Sequence, residues 1–125
     1  MANILVVEDD HDVVELLGEY FQEELGAQTM AVTSLEELVS CSTAALECDV
    51  AILDLHLGAF GPAPEGLAAL RWLRERGYQR EVVITTGNVT SIANAASLGP
   101  IRVVPKPYEF PVLLKLVQDV LSKAA

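Results

Sequence analysis

The sequence predicts a doubly wound α/β fold, with a five-stranded parallel sheet in the order 2-1-3-4-5 and helices on both faces. Three observations predict it. Five short apolar runs alternate with stretches whose apolar residues recur at helical spacing. The central runs, such as Val50 to Leu53, are unbroken rather than alternating, the pattern of strands covered on both faces. Right-handed crossovers between such strands leave few topologies, of which this order is a common one. At 125 residues the chain is expected to form one domain, residues 1–125, with a full core.

The elements follow in order. Asn3 to Val7 is a first buried strand, and Glu8-Asp9-Asp10 follows it at once. Val13, Val14, Leu17, Tyr20, Phe21 and Leu25 place a helix over roughly 12–24, and Gly26 ends it because glycine tolerates positive φ. Residues 27–32 make a second, more polar strand, expected at the sheet edge. Ser34-Leu35-Glu36-Glu37 is a capping box opening a second helix that runs to about Leu46. Val50 to Leu53 is the third strand, ending in Asp54. A loop with Gly58, Gly61, Pro62 and Pro64 leads to a third helix from Glu65 to near Gly77. Val82 to Thr86 is the fourth strand, and a small, alanine-rich fourth helix, expected to be mobile, covers residues 89–97. Ile101 to Val104 is the fifth strand, stopped by Pro105-Lys106-Pro107, and a last helix covers residues 109–122. Pro111 is tolerable because it lies in the first turn. The strand order is the flavodoxin-like one, with the switch point between the first and third strands.

Composition excludes several classes. The formal net charge of −10 opposes direct binding of nucleic acid or of an anionic membrane surface. No apolar run approaches the roughly 18 residues of a membrane helix, and the acidic N-terminus lacks the basic region of a signal peptide. A cytoplasmic protein is expected. Cys41 and Cys48 show no metal-ligand spacing and fit reduced, structural thiols.

The chemistry collects at the carboxyl ends of the strands, where open parallel sheets bind ligands. The first strand delivers Glu8 and Asp9, the third Asp54, the fourth Thr86 and the fifth Lys106. Each alone has an ordinary reading: a turn, a helix cap, a strand threonine, a surface lysine. Together they put three carboxylates, a hydroxyl and an ammonium at one crevice. Crowded carboxylates raise at least one pKa unless a cation intervenes. Hard oxygen ligands suit Mg²⁺, or Mn²⁺ in its place. An ammonium and a hydroxyl facing the same spot suit a phosphoryl group, and a carboxylate beside the metal can attack phosphorus. Phosphoryl transfer to Asp54 is the implied chemistry.

Four segments then carry a family resemblance: Ile-Leu-Val-Val-Glu8-Asp9-Asp10, Val-Ala-Ile-Leu-Asp54-Leu, Val-Val-Ile-Thr-Thr86-Gly87 and Val-Val-Pro-Lys106-Pro107. Across nearly its full length the chain resembles the receiver (CheY-like) domain of two-component response regulators. The resemblance implies that Asp54 is the phosphoacceptor, and that Asp9 ligates Mg²⁺ directly and Glu8 through water. It further implies that the backbone carbonyl of His56 completes the protein ligands, that Thr86 and Lys106 attend the phosphoryl group, and that the Lys106–Pro107 bond is cis. It implies a sensor histidine kinase or phosphotransfer protein as donor. An effector protein, or an output domain outside this sequence, would read the face formed by the fourth helix, fifth strand and last helix. Such a module is a signalling domain rather than an enzyme with an external substrate.

Three positions depart from the family's pattern. Val103 stands where an aromatic switch residue is usual, and a stiff β-branched side chain predicts a muted or differently built switch. The loop after Asp54 carries an insertion of about four residues before Gly66, a surface element or a lid. His56, two after Asp54, is either a loop imidazole or a modulator of hydrolysis. Two rival functions are weaker. An aspartyl-phosphate phosphatase would need an acid-base Asp at the His56 position, and a non-phosphorylated pseudo-receiver scaffold would be expected to lack Asp54 or Lys106.

Overall fold

Period-two alternation along each strand sorts the core into two halves. In β1 (Asn3–Val7), Ile4 and Val6 face one side of the sheet and Leu5 and Val7 the other. The computed structural model describes residues 2–55, 65–87 and 95–124. In it, β1 is followed by α1 (His11–Leu25), β2 (Gln28–Val32), α2 (Leu35–Ser40) and α3 (Ser42–Leu46). Then come β3 (Val50–Asp54), α4 (Glu65–Glu75), β4 (Val82–Thr86), β5 (Ile101–Pro105) and α5 (Phe110–Ala124). All pairings are parallel and the order is β2-β1-β3-β4-β5. The predicted fold class is therefore the observed one, with β2 at an edge.

Leu17 and Phe21 of α1 and Leu113, Val117 and Val120 of α5 pack on Ile4, Val6, Val50, Ile52 and Val83. On the opposite face Leu38, Ala45, Leu70 and Leu73, from α2, α3 and α4, cover Leu5, Val7, Ala51, Leu53 and Ile84. Every residue of β3 and of β4 is buried, which is why these strands read as unbroken apolar runs.

Local signals account for most boundaries. The Asp10 carboxylate caps α1 by accepting from the N–H groups of Asp12 and Val13, and Gly26, at φ 61°, closes it. Ser34 accepts from the Glu37 N–H as a capping box requires, while the Glu37 carboxylate turns to the Thr33 hydroxyl. The expected second helix is two helices. The Ser40 hydroxyl donates to the Glu37 carbonyl at 2.8 Å, and Cys41 leaves the helical region at φ −108°, ψ 24°. Side chains that bond their own backbone weaken a helix interior in this way. Pro105 joins β5 as its last residue, which an edge strand permits. Both cysteines are free thiols. The loop insertion, His56 and residues 89–94 of the fourth predicted helix lie outside the described residues; of the rest of that helix, Ala95 and Ala96 are helical. Among the described residues no helix is long and apolar enough to cross a membrane.

Gly66, in the first turn of α4, lies against the end of β3. A Cβ there would overlap the carbonyl oxygens of Asp54 and Leu55, so only glycine lets the helix start this close to the strand end. Gly66→Ala is expected to destabilise the domain by about 1–3 kcal/mol through overpacking. Denaturant midpoints of the two proteins check this, and an unchanged midpoint would contradict it.

Candidate functional site

Main-chain hydrogen bonds carry the sheet pattern one residue past the strand ends and so fix the site. The Glu8 N–H donates to the Val32 carbonyl at 3.0 Å, and the Leu55 N–H to the Thr85 carbonyl at 3.0 Å. The Lys106 N–H donates to the Thr86 carbonyl at 2.7 Å. The register sets Val7 beside Leu53 and Asp54 beside Thr85. Glu8, Asp54 and Lys106 thus converge at the carboxyl edge of the sheet, around the β1/β3 switch point.

The side chains meet there. The Lys106 Nζ lies 3.2 Å from Asp54 Oδ2, an ion pair with hydrogen-bonding length, and 4.0 Å from Glu8 Oε1, which is too long for one. One carboxylate oxygen each from Glu8, Asp9 and Asp54 lies within 4.8 Å of the others. Asp54 is 5% exposed and Glu8 7%, while Asp9 is open to solvent. Glu8 Oε2 is buried and, among the described residues, has no hydrogen-bond partner.

Burial pushes the Glu8 carboxyl up to about 8; its hydrogen bond to Asp54 and the negative charge of Asp54 push the same way, and Lys106 only partly opposes them. With its carboxyl raised to about 8, chiefly by burial, Glu8 holds a proton at neutral pH in the metal-free protein. An orphaned buried oxygen and a set of hard oxygen donors fit a divalent cation such as Mg²⁺, held by Glu8, Asp9 and Asp54.

Of the residues singled out in the sequence, Glu8, Asp9, Asp54 and Lys106 are brought together. Thr86 is fully buried at the end of β4 and is tied to Lys106 through its carbonyl. His56 lies outside the described residues. Sequence reasoning passed over Tyr108 and Phe110, which with Glu8 and Lys106 line a pocket of about 450 Å³ beside this cluster. The signal was there: two aromatics at alternate positions directly after the strand-end lysine.

The model of the response regulator receiver domain family matches residues 4–118. The chain belongs to that family. This receiver domain is 24% identical over 111 residues to the probable C4-dicarboxylate response regulator DctR of Priestia megaterium, a match that covers 86% of the chain and 46% of DctR. It thus spans less than half the length of the curated relative it matches. It superposes on a Francisella response regulator receiver domain with a TM-score of 0.83 at 19% identity, each chain covered completely. With NtrX from Brucella abortus the TM-score is 0.82 at 24% identity, covering 98% of this receiver domain and 28% of NtrX. These structural likenesses establish the fold.

The Glu8 proton has a consequence for stability. In chelator-treated protein Glu8 stays protonated to about pH 8 when folded, against its ordinary value of 4.5 when unfolded. Between those values the folded state binds the extra proton. The stability this group contributes is full below about pH 4.5 and is lost as the pH rises towards 8, at up to about 1.4 kcal/mol per pH unit. Glu8→Gln removes that dependence. Unfolding free energies of both proteins at pH 5 and pH 8 should show the wild type losing ground to the variant as pH rises, and a constant difference would contradict the assignment.

Proposed function

We propose that residues 1–125 form the phosphoacceptor receiver module of a two-component signalling system, with Asp54 taking the phosphoryl group. The observation that carries this reading is the Lys106 ammonium 3.2 Å from a nearly buried Asp54 carboxylate, inside a cluster of acidic oxygens. A structural ion pair needs no such cluster, because the added carboxylates only oppose it.

In this reading an Asp54 oxygen attacks phosphorus while the bond to the donor breaks. The Lys106 ammonium offsets charge on the phosphoryl oxygens, and the Thr86 hydroxyl donates to one of them. Mg²⁺ or Mn²⁺, held by Glu8, Asp9, Asp54 and the His56 carbonyl, would supply the remaining positive charge. The donor is a sensor histidine kinase or a phosphotransfer protein, and the recipient of the signal is an effector protein or an output domain. The setting is cytoplasmic. The acyl phosphate acts by differential stabilisation of a second conformation of the domain.

Incubation with acetyl phosphate and Mg²⁺ is expected to add one phosphoryl group by intact mass, and Asp54→Ala to abolish it. Lys106→Ala should slow the modification by ~100-fold, the scale on which a charge-stabilising donor acts. Turnover of external phosphoesters would favour a phosphatase, and absence of any modification a pseudo-receiver scaffold.

A further inference from the structure

The charges of this chain are sorted along the sheet. All 8 Lys and Arg residues lie at or after Arg71, while carboxylates run throughout. The sheet order is β2-β1-β3-β4-β5, so this split in sequence becomes a split in space. β2 and the helices α1, α2 and α3 contain no Lys or Arg. Two cations reach back towards that half. Arg80 pairs with Asp49 just before β3, and Lys106 pairs with Asp54 at its end, each at 3.2 Å. Glu36, Glu37 and Glu47, around α2 and α3, pair with no cation among the described residues.

β2 is an open edge. The Gln28 N–H donates to the Ala2 carbonyl at 2.9 Å, and the Val32 carbonyl accepts from the Glu8 N–H at 3.0 Å. Main-chain groups alternate in direction along a strand. Gln28, Met30 and Val32 therefore turn theirs towards β1, and Thr29 and Ala31 turn theirs away. No strand lies beyond β2 among the described residues. Proteins blunt such edges with a charge, a proline or a bulge. The β5 edge has Arg102, paired with Glu81, and Pro105. β2 has none of these. From Gly26 to Leu35 no residue is charged and none is proline, and the register with β1 is unbroken from Asn3–Gln28 to Val7–Val32.

We propose that the β2 edge adds an extended segment of a basic partner protein as a sixth strand, with Lys or Arg at alternate positions. Main-chain bonds to Thr29 and Ala31 hold such a strand, and the side-chain surroundings select it. A pocket of about 330 Å³ opens beside Gln28, Thr29 and Met30, with Glu47 on its lining. A long cationic side chain lays its stem along Met30 there and brings its charge to Glu47. At the other end of the strand the Glu37 carboxylate accepts from the Thr33 hydroxyl at 3.2 Å, so a second acid stands beside the edge. A second copy of this chain is the poorer occupant, because it brings the same carboxylates against each other. The inference does not depend on Asp54 accepting a phosphoryl group.

The test uses the whole chain and three capped synthetic peptides of equal length. One alternates Lys with Thr, one alternates Glu with Thr, and one alternates Lys with Pro, which lacks N–H groups for a ladder. The Lys–Thr peptide should slow hydrogen exchange at the Thr29 and Ala31 amides, and added salt should weaken it. Its affinity should fall by about fivefold or more in Glu47→Lys, where an exposed attraction becomes a repulsion. Ala31→Pro, which removes an outward N–H and no bond to β1, should weaken it as well. Absence of protection at Thr29 and Ala31 overturns the edge as a site. Equal binding of the Lys–Pro peptide overturns strand addition, and equal binding of the Glu–Thr peptide overturns the choice of a basic partner. Protection at these two amides that grows with protein concentration, without peptide, makes a second copy the occupant and overturns the proposal.

Discussion

Glu8, Asp9 and Asp54 are held closer together than carboxylates in water would stay, and the Lys106 ammonium pairs with Asp54 among them. The domain's core does not depend on this arrangement energetically; it pays against it. Desolvation, with the hydrogen bond to and charge of Asp54, lifts the Glu8 carboxyl far above its ordinary value. Such a concentration persists because apolar packing on both faces of the sheet over-determines where the strand ends fall. Ile4 to Val7 and Val50 to Leu53 are almost wholly removed from water on both sides, and each large side chain so buried contributes about 1.5–3 kcal/mol. The acidic residues follow those runs directly in the chain and have nowhere else to go.

The rest of the architecture supports this edge. Asp10 takes the capping of α1 on its own carboxylate, which leaves Glu8 and Asp9 out of that task. Gly66 lets α4 begin against the Asp54 carbonyl. At the other edge of the sheet the Arg74 guanidinium donates to the carbonyls of Leu98, Tyr78, Arg80 and Pro100, tying together the segments that enter β4 and β5. Burial lowers its pKa, yet a guanidinium keeps its charge, and charged donors make the stronger hydrogen bonds. The strands that deliver Thr86 and Lys106 are therefore anchored where they start as well as where they end.

Much of this was legible because the informative residues sit beside strongly periodic segments. A four-residue apolar run ending in Asp54 states a strand and its exit in one stretch, and Lys106 between two prolines marks another. What stayed hidden depends on three-dimensional neighbours or on competition between local bonds. The break at Cys41 turns on whether the Ser40 hydroxyl bonds its own backbone, which periodicity does not report. Arg74 reads as an ordinary basic residue near a helix end, and its four carbonyl partners come from segments up to 26 residues away. The protonation of Glu8 follows from burial and from its distance to Asp54, neither of which a sequence carries.

Val103 sharpens the question of how occupancy of Asp54 could be felt elsewhere. On β5 it pairs in register with Ile84 of β4, and it offers no ring to rotate. A β-branched side chain has few rotamers to exchange, so a signal cannot be stored there as a large change of side-chain direction. The groups bonded to Asp54 are better placed. Lys106 is fixed to Asp54 by its ammonium and to the Thr86 carbonyl by its N–H, and two residues later the chain reaches Tyr108, stacked on Phe110, whose ring in turn leans tilted on Tyr20 of α1. A phosphoryl group on Asp54 would add charge where the Lys106 ammonium is held. The rings that follow Lys106 in the chain lie on the side of the sheet covered by α1 and α5.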